Sequence, residues 1–321
     1  MENQRIDLTV IIVSFNTAHL LRSCLQSVYE QTPTLSFEIL ISDNASTDES
    51  ITMLEADFPE VKVTVNETNV GFAQANNRLI PHAKGRNLVL LNPDTVIRDQ
   101  ALERMVRYLD LHHEVGAIAP RLVLPNGDYQ GGDAGFDPSP KSLFVFAFML
   151  HSFFPGLRGL WLTKQDYQVH ELQVDWLSGA CLMIRNEVVK TVGTLSDAYF
   201  MYAEDIEWCY RIRQAGWKIL LLNSVQIVHH HGAATKQTKG NFGTLGIQGL
   251  AVYYKSRYPR HKVVLMHLWS AIGFMLRAAA LNITALVKRD QTYRRRASNM
   301  FSASVESWIQ LTSLLGLWPR H

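Results

Sequence analysis

The stretch "VLLNPDTVI", Val89 to Ile97, decides how the rest of the chain is read. Leu88 to Leu91 is an unbroken apolar run of strand length, as expected of a strand buried on both faces. Pro93 has no N–H to give to a ladder, so the strand ends there. Asp94 then falls just beyond its carboxyl end. One reading of that acid is a turn former. The other is a carboxylate placed for chemistry, and the neighbouring elements have to decide.

Upstream, the same kind of unit repeats. Leu8 to Val13 is a short run rich in β-branched residues. His19 to Glu30 carries apolar residues at Leu20, Leu21, Cys24, Leu25 and Val28, a helical spacing. Phe37 to Ile41 is the next strand, Thr47 to Phe58 the next helix, Val61 to Val65 a strand and Phe72 to His82 a helix. Downstream, Gln100 to His112 is an amphipathic helix and Ala117 to Pro120 closes the series. Strands alternating with such helices predict βαβ units and a mostly parallel sheet flanked by helices. Ligands of such sheets bind beyond the carboxyl ends of the strands. Ser14, Asp43, Asn69 and Asp94 all follow strand ends and share that expected rim.

Beyond residue 121 the pattern loosens. Phe144, Phe146, Phe148, Phe153 and Phe154 form an aromatic stretch, either core or a greasy acceptor-side surface. Trp176 to Ile184 reads as a strand, Tyr202 to Ala215 as a helix and Trp217 to Leu222 as a strand. Val263 to Val287 is apolar and long enough to cross a bilayer, yet Arg277 near its middle is costly in hydrocarbon. Ser270, Arg277 and Thr284 recur every seven residues, with His267 beside them, so the polar stripe is narrow. It fits a helix at a membrane interface or one packed on protein. Phe301, Val305, Trp308 and Leu315 mark a second amphipathic helix, and Lys288, Arg289, Arg294, Arg295 and Arg296 lie between the two.

Charge supports that division. The chain of 321 residues has a net charge of +2, but residues 255–321 hold eleven Lys/Arg against Asp290 and Glu306, a net of +9, which leaves −7 for residues 1–254. Basic segments attract anionic membranes or nucleic acid. No aromatic-basic nucleic-acid motif accompanies this one, so a membrane surface is the expected partner and nucleic acid is not. A soluble homo-oligomer interface is the alternative. The 3 cysteines are too few for a disulfide framework, which favours a reducing compartment, and the N-terminus carries no export pattern.

Three acidic stretches and a histidine run hold the candidate chemistry. In "ISDNASTDES", Ser46 and Thr47 are placed to cap the next helix, with Asp48 and Glu49 in its first turn. Asp43 precedes that cap and is free to accept a hydrogen bond from a base or ribose. "VSFNT" replaces the glycine-rich loop of dinucleotide folds after the first strand. Asp94 beside such an acid suggests a divalent cation, Mg²⁺ or Mn²⁺, shared with phosphate oxygens. In "YAEDIEWCYRIRQAGW", Glu204 and Asp205 open a helix, with Glu207 and Arg211 as an i,i+4 pair. One of the two leading acids can deprotonate a hydroxyl. In "HHHGAAT", His229 and His231 share one side of an extended chain and His230 the other.

The ordered set "IIVSFNTAHLLRSCLQSV", "ILISDNASTDES", "NVGFAQANN", "LLNPDT", "WLSGACLMIRNEV" and "YFMYAEDIEWCYRIRQAGW" resembles the family 2 glycosyltransferases, over about residues 6–240. The rhamnosyltransferase-like branch that builds bacterial surface polysaccharides is the most similar. The resemblance implies a GT-A (Rossmann-like) domain over 1–250, with a nucleotide-binding half at about 6–120 and an acceptor half at about 121–250. The basic helical extension at 251–321 would associate with membrane. It implies inverting transfer from a nucleotide diphosphate sugar, with dTDP-L-rhamnose favoured, to a lipid-linked or polysaccharide acceptor. The enzyme would sit at the inner face of the cytoplasmic membrane. Ser14 and Asn16 would line the nucleotide pocket and Asp43 read the pyrimidine. Asn69, Gly71, Asn76 and Asn77 would shape the donor site. Asp94 matches the last acid of the DXD element, whose first acid is Asn92 here, leaving less negative charge for the metal. Asp205 matches the base, with Glu204 beside it. His229 matches a metal-ligating His, with His231 as the alternative. A non-catalytic nucleotide-sugar-binding scaffold is the competing reading, favoured by Asn92.

Overall fold

The computed structural model describes residues 6–154, 156–230 and 242–317. Strands and helices alternate as the sequence predicts: β1 (Leu8–Ser14), α1 (Ala18–Gln31), β2 (Phe37–Asp43), α2 (Ser50–Asp57), β3 (Lys62–Val65), α3 (Phe72–Leu79) and β4 (Asn87–Leu91). A short β5 (Thr95–Val96) precedes α4 (Ala101–Leu111) and β6 (Val115–Val123). The middle holds β7 (Ala134–Gly135), α5 (Pro140–Ala147), α6 (Leu150–Phe153), β8 (Glu171–Gln173), β9 (Trp176–Leu177) and β10 (Cys181–Arg185). After them come α7 (Asn186–Val192), α8 (Glu204–Gln214), β11 (Lys218–His229), α9 (Phe242–Arg257), α10 (Arg260–Lys288) and α11 (Gln291–Leu315). Two compact units result. The first comprises 1–135, 162–200 and 204–238; the second comprises 136–161, 201–203 and 239–321.

The first unit is built on one sheet in the order β3-β2-β1-β4-β10-β6-β11-β5, with β8 also on β11. β3, β2, β1 and β4 are mutually parallel, and β6 is parallel to β11. β10 runs against both its neighbours, β4 and β6. The central strands are buried on both faces, as runs such as LTVIIVS and NLVLL require. Leu21, Leu25 and Val28 of α1 and Leu102, Met105 and Leu109 of α4 share one cluster with Val10, Ile12, Val89 and Leu91. Emptying one of those leucine sites costs about 2–5 kcal/mol. β3 is the exposed edge, and Lys62 reaches Glu38 of β2 at 2.9 Å, a charge of the kind that blunts edge pairing.

Three sequence expectations need correction. Ser46 and Thr47 do not cap α2, which begins at Ser50. Asp48 holds its start instead, accepting from the Ser50 N–H at 3.0 Å and hydroxyl at 2.5 Å. Trp176 to Ile184 is not one strand. Ser178-Gly179-Ala180 breaks it, so β9 pairs β7 in a separate two-stranded sheet while β10 joins the main one. Conversely, the strand expected at Trp217 to Leu222 runs on to His229 as β11, whose register against β6 shifts between Leu222 and Gln226.

The second unit is helical. Ser139 and Ser142 form a capping box at α5 with Pro140 at its first turn. Phe146 packs with Phe274 in a small cluster, whereas Phe144, Phe153 and Phe154 are exposed. The aromatic stretch is thus only partly core. The polar stripe of α10 points inward: His267 and Ser270 are buried. The Arg277 guanidinium lies 4.5 Å from the Phe146 ring centroid and donates to the Phe146 carbonyl at 3.1 Å. On α11, Ser304, Glu306 and Ser307 are buried, and the Ser304 hydroxyl donates to the Ala271 carbonyl at 2.7 Å. The outward face is apolar instead, carrying Leu265, Ile272, Leu276, Ile283 and Leu286 on α10. Phe301, Val305, Trp308 and Leu315 continue it on α11.

Candidate active site at the rim of the sheet

Register places the predicted residues along one edge. Ser14 and Asp43 end adjacent strands and are partners in the ladder. Ile12 pairs with Leu91, so Asn92 and Asp94 emerge on the same side. Because β10 is reversed, its amino end also opens there: Cys181 faces Leu91, and the Asn92 N–H donates to the Ala180 carbonyl at 2.9 Å. The loop ahead of it, Ser178 to Ala180, carries the catalytic candidate. Gly179 N–H donates to Asp205 Oδ2 at 3.0 Å, and Ile206 N–H donates to Oδ1 at 2.8 Å. A Cβ on Gly179 would lie 3.0 Å from the Phe72 ring and 4.0 Å from Asp205 Oδ2, so α3, this loop and α8 meet tightly.

The other side of the rim closes through Gly71. Its φ of +85° suits glycine, and a Cβ would stand 2.4 Å from the Phe200 carbonyl oxygen. Asn69 Oδ1 accepts from the Gly71 N–H at 3.0 Å, and Asn44 Nδ2 donates to the Gly71 carbonyl at 3.2 Å. Asp43, Asn44, Gly71, Phe72, Gly179 and Asp205 therefore form one linked chain. It joins Asn92 through Ala180.

Several predicted ligands are occupied structurally. Asp43 is fully buried, and its two oxygens accept from the Ser46 N–H at 2.8 Å and hydroxyl at 2.6 Å. It closes the loop after β2, a task the sequence reading had not given it. Asn16, at φ 51°, donates its N–H to Ser46 Oγ at 2.9 Å and accepts from Thr47 N–H at 2.7 Å. The Ser14 hydroxyl lies 3.2 Å from that of Thr17. Asn77 is spent entirely as a clamp. Its Nδ2 donates to the Leu195 carbonyl and Asp197, and its Oδ1 accepts from Leu195 N–H at 3.0 Å. Asn76 Nδ2 donates to the Phe72 carbonyl at 2.9 Å, and its buried Oδ1 has no partner among the described residues.

Asp94 and His229 meet directly. Oδ1 of Asp94 is 3.1 Å from Nε2 of His229, with both side chains buried. The Asp94 carbonyl accepts from His230 N–H at 2.8 Å, which ties β11 to this turn. Gln130 Oε1 is 2.8 Å from Nδ1 of His229 and Asn92 Nδ2 is 3.4 Å from Nε2. Gln130 thus holds the ring through Nδ1, and Nε2 is the nitrogen that faces Asp94 and Asn92. Two cis ligands on an octahedral cation with 2.1 Å bonds stand about 3 Å apart. The Asp94–His229 pair meets that separation, so this donor set fits a hard divalent cation that takes its other ligands from phosphate and water. No cluster of three His, Cys, Asp or Glu occurs among the described residues. His231 lies outside the described residues.

Glu204 and Asp205 differ sharply. Glu204 is buried at the start of α8, and its Oε2 has no partner among the described residues. Burial, and then the charge of Asp205, push its carboxyl well above the ordinary range. Burial also raises Asp205, opposed by the N–H groups of Gly179 and Ile206. Glu207 and Arg211 form the expected pair at 2.7 Å, and Arg211 also donates to the Thr194 carbonyl. Gln130 and Gly179 were not singled out in the sequence. "YQGGD" and "LSGA" read there only as loop and strand.

A family model described as glycosyl transferase family 2 matches residues 9–192. The N-acetylglucosaminyl-diphospho-decaprenol L-rhamnosyltransferase of Mycobacterium tuberculosis is 26% identical over 234 residues, covering 68% of this chain and 73% of that one. Rhamnosyltransferase WbbL of Escherichia coli is 24% identical over 170 residues, 50% of this chain and 62% of its own. The mannosyltransferase PcManGT from Pyrobaculum calidifontis, solved with GDP-Man and Mn²⁺, superposes with a TM-score of 0.57 at 18% identity. That superposition covers 95% of this chain and 88% of the other, and it shows a common fold.

Proposed function

Since this chain belongs to glycosyl transferase family 2 and is a glycosyltransferase of the GT-A fold, we propose that its sheet rim moves one sugar, with inversion, from a nucleotide diphosphate to an acceptor hydroxyl. The observation that carries this is that the single loop 178–180 binds both Asp205 and Asn92, the residue two before Asp94, which pairs with His229. Asp205 is the base. Two backbone N–H groups fix its orientation, and burial raises its basicity toward the range where proton abstraction is efficient. The acceptor oxygen bonds to the anomeric carbon as the bond to the diphosphate breaks, and the hydroxyl proton passes to Asp205. Glu204 beside it has its carboxyl pushed upward by burial and by the charge of Asp205, which disfavours a second negative charge next to the base. Asp94 and His229 would hold Mg²⁺ or Mn²⁺, which when bound neutralises charge on the departing diphosphate. Asn69 and Gly71 would shape the donor side, with Ser14 and Asn16 at the nucleotide.

The two rhamnosyltransferase relatives support L-rhamnose, carried as dTDP-L-rhamnose, as the donor sugar. The activity of the mycobacterial relative supports a lipid-linked diphosphate acceptor. A place at the inner face of the cytoplasmic membrane is supported by the helical unit. α10 is long and apolar enough to cross a bilayer by length and composition. A span would put the Lys288–Arg296 cations on the far side, against the usual preference for cations on the cytoplasmic side. Cations at both ends of α10, with an apolar face between them, suit a helix lying within the interface. The test is transfer from dTDP-L-rhamnose to a prenyl-diphosphate N-acetylglucosamine with Mn²⁺ present, beside a thermal-shift panel of nucleotide sugars. A thermal shift and transfer with another nucleotide sugar alone would move the donor assignment. No turnover with any donor, despite nucleotide binding, would leave the scaffold reading standing.

A further inference from the structure

Arg121 lies near the carboxyl end of β6, opposite Gln226 of β11, while the next pair is Leu122 with Ile227. Leu122 and Ile227 belong to the core, so Arg121 projects from the opposite face of the sheet. Its guanidinium carbon lies 5.7 Å from the Tyr129 ring centroid and 5.1 Å from that of Tyr167. The two rings stand 4.2 Å apart, and their hydroxyls are hydrogen-bonded to each other. Tyr167 also donates to Asp133 Oδ1 at 2.5 Å, and Asp133 Oδ2 accepts from Leu122 N–H at 3.2 Å. Asp133 is thereby satisfied without Arg121. The cation is held by ring faces. Nε is buried without a partner among the described residues. A guanidinium with an unmet buried N–H is suited to receive an anion, and its planar fork matches phosphate.

Its position says which anion. Asp133 accepts through its carbonyl from Ser178 N–H at 2.8 Å, and the next residue, Gly179, donates to Asp205. One loop thus ties the Arg121 cage to the base. His229 lies two residues after Ile227 and so shares its face of β11, away from Arg121, separating this cation from the Asp94–His229 pair given to the donor diphosphate. We propose that Arg121, seated between Tyr129 and Tyr167, binds a phosphate group of the acceptor while Asp205 faces the acceptor hydroxyl. The proposal rests on the glycosyl-transfer reading above.

The test uses the full chain saturated with thymidine diphosphate and Mg²⁺, so that the donor position is filled. Geranyl diphosphate is then titrated calorimetrically, with geraniol as the phosphate-free control. Wild type binds the diphosphate and not the alcohol. Arg121→Gln binds it about tenfold to a hundredfold more weakly, and Arg121→Lys falls between the two. Thymidine diphosphate affinity is the same in all three. Should Arg121→Gln fail to fold, Arg121→Lys against wild type decides the matter. Equal binding by wild type and variants overturns the proposal, as does equal binding of geraniol. Loss of thymidine diphosphate affinity in the variants would assign Arg121 to the donor instead. A wild type that binds thymidine diphosphate but no geranyl diphosphate sinks this inference alone. One that binds neither sinks the transfer reading beneath it.

Discussion

The two units of this chain bury opposite things. In the α/β unit the apolar strands lie inside and the carboxylates collect at one edge, each anchored by a neighbouring N–H, hydroxyl or imidazole. In the helical unit His267, Ser270, Ser304, Glu306 and Ser307 are inside, and leucines, isoleucines and a tryptophan face outward on α10 and α11. The first pattern sets polar groups at the edge of a dry core, where a ligand can meet them. The second leaves apolar side chains exposed along two helices. The difference teaches that hydropathy alone misleads: both units contain amphipathic helices, and only the direction of the polar stripe says which face each helix buries.

The contrast can be broken at its strongest point first. Asp205→Asn should lower transfer by about 10²–10⁴-fold with melting temperature and thymidine diphosphate affinity unchanged, because the base acts on a proton and binds no nucleotide. Steady-state kinetics beside a thermal melt check this. Undiminished turnover would remove Asp205 from that role.

The helical unit should lose stability on acidification. Burial, with a contribution from Lys255, lowers His267 from 6.5 to about 4. The unfolded chain takes up its proton near 6.5, so the stabilising balance is complete above that pH and is lost as pH falls toward 4. The loss is about 3 kcal/mol at most. Hydrogen exchange along α10 between pH 7 and pH 4 should show it, and His267→Phe should flatten the profile. The same slope in the variant would place its origin elsewhere.

Gln130→Ala sharpens the rim side. If Gln130 orients His229 for a cation, the Mn²⁺ concentration needed for half-maximal activity should rise about tenfold to a hundredfold, with Asp205 still competent at saturating metal. An unaltered metal titration would mean that His229 needs no such partner. The smallest effect is expected from Ile283→Glu on the outward face of α10. Flotation with anionic vesicles should weaken by about tenfold, from the loss of one buried aliphatic side chain, while transfer to a soluble acceptor is kept. Full recovery with vesicles would show that this face meets something other than lipid.

Much of the fold could be read in advance because fully buried strands announce themselves, and Pro93 and the small residues mark their ends. What escaped were breaks made by tertiary contact. Ser178 to Ala180 interrupts an apolar run because Gly179 must approach Phe72, and no local propensity signals that. At the site, Asp94, Glu204 and Asp205 were visible as acids at element ends. Asp43 and Asn77 looked equally exposed to ligand, yet Ser46 takes the first, and Leu195, 118 residues away, takes the second. Gln130 and Arg121 were silent, since each matters only through a partner distant in the chain.

One reversed strand has a further consequence. Had β10 run parallel to β4, its first residue would have begun at the far edge of the sheet, about 17 Å away over five residues. The turn that steadies the proton acceptor would then have no route to the reacting end. Running it backwards lets a loop from the second half of the chain serve an edge otherwise made by the first. A site assembled in this way is finished only when residue 229 has been added.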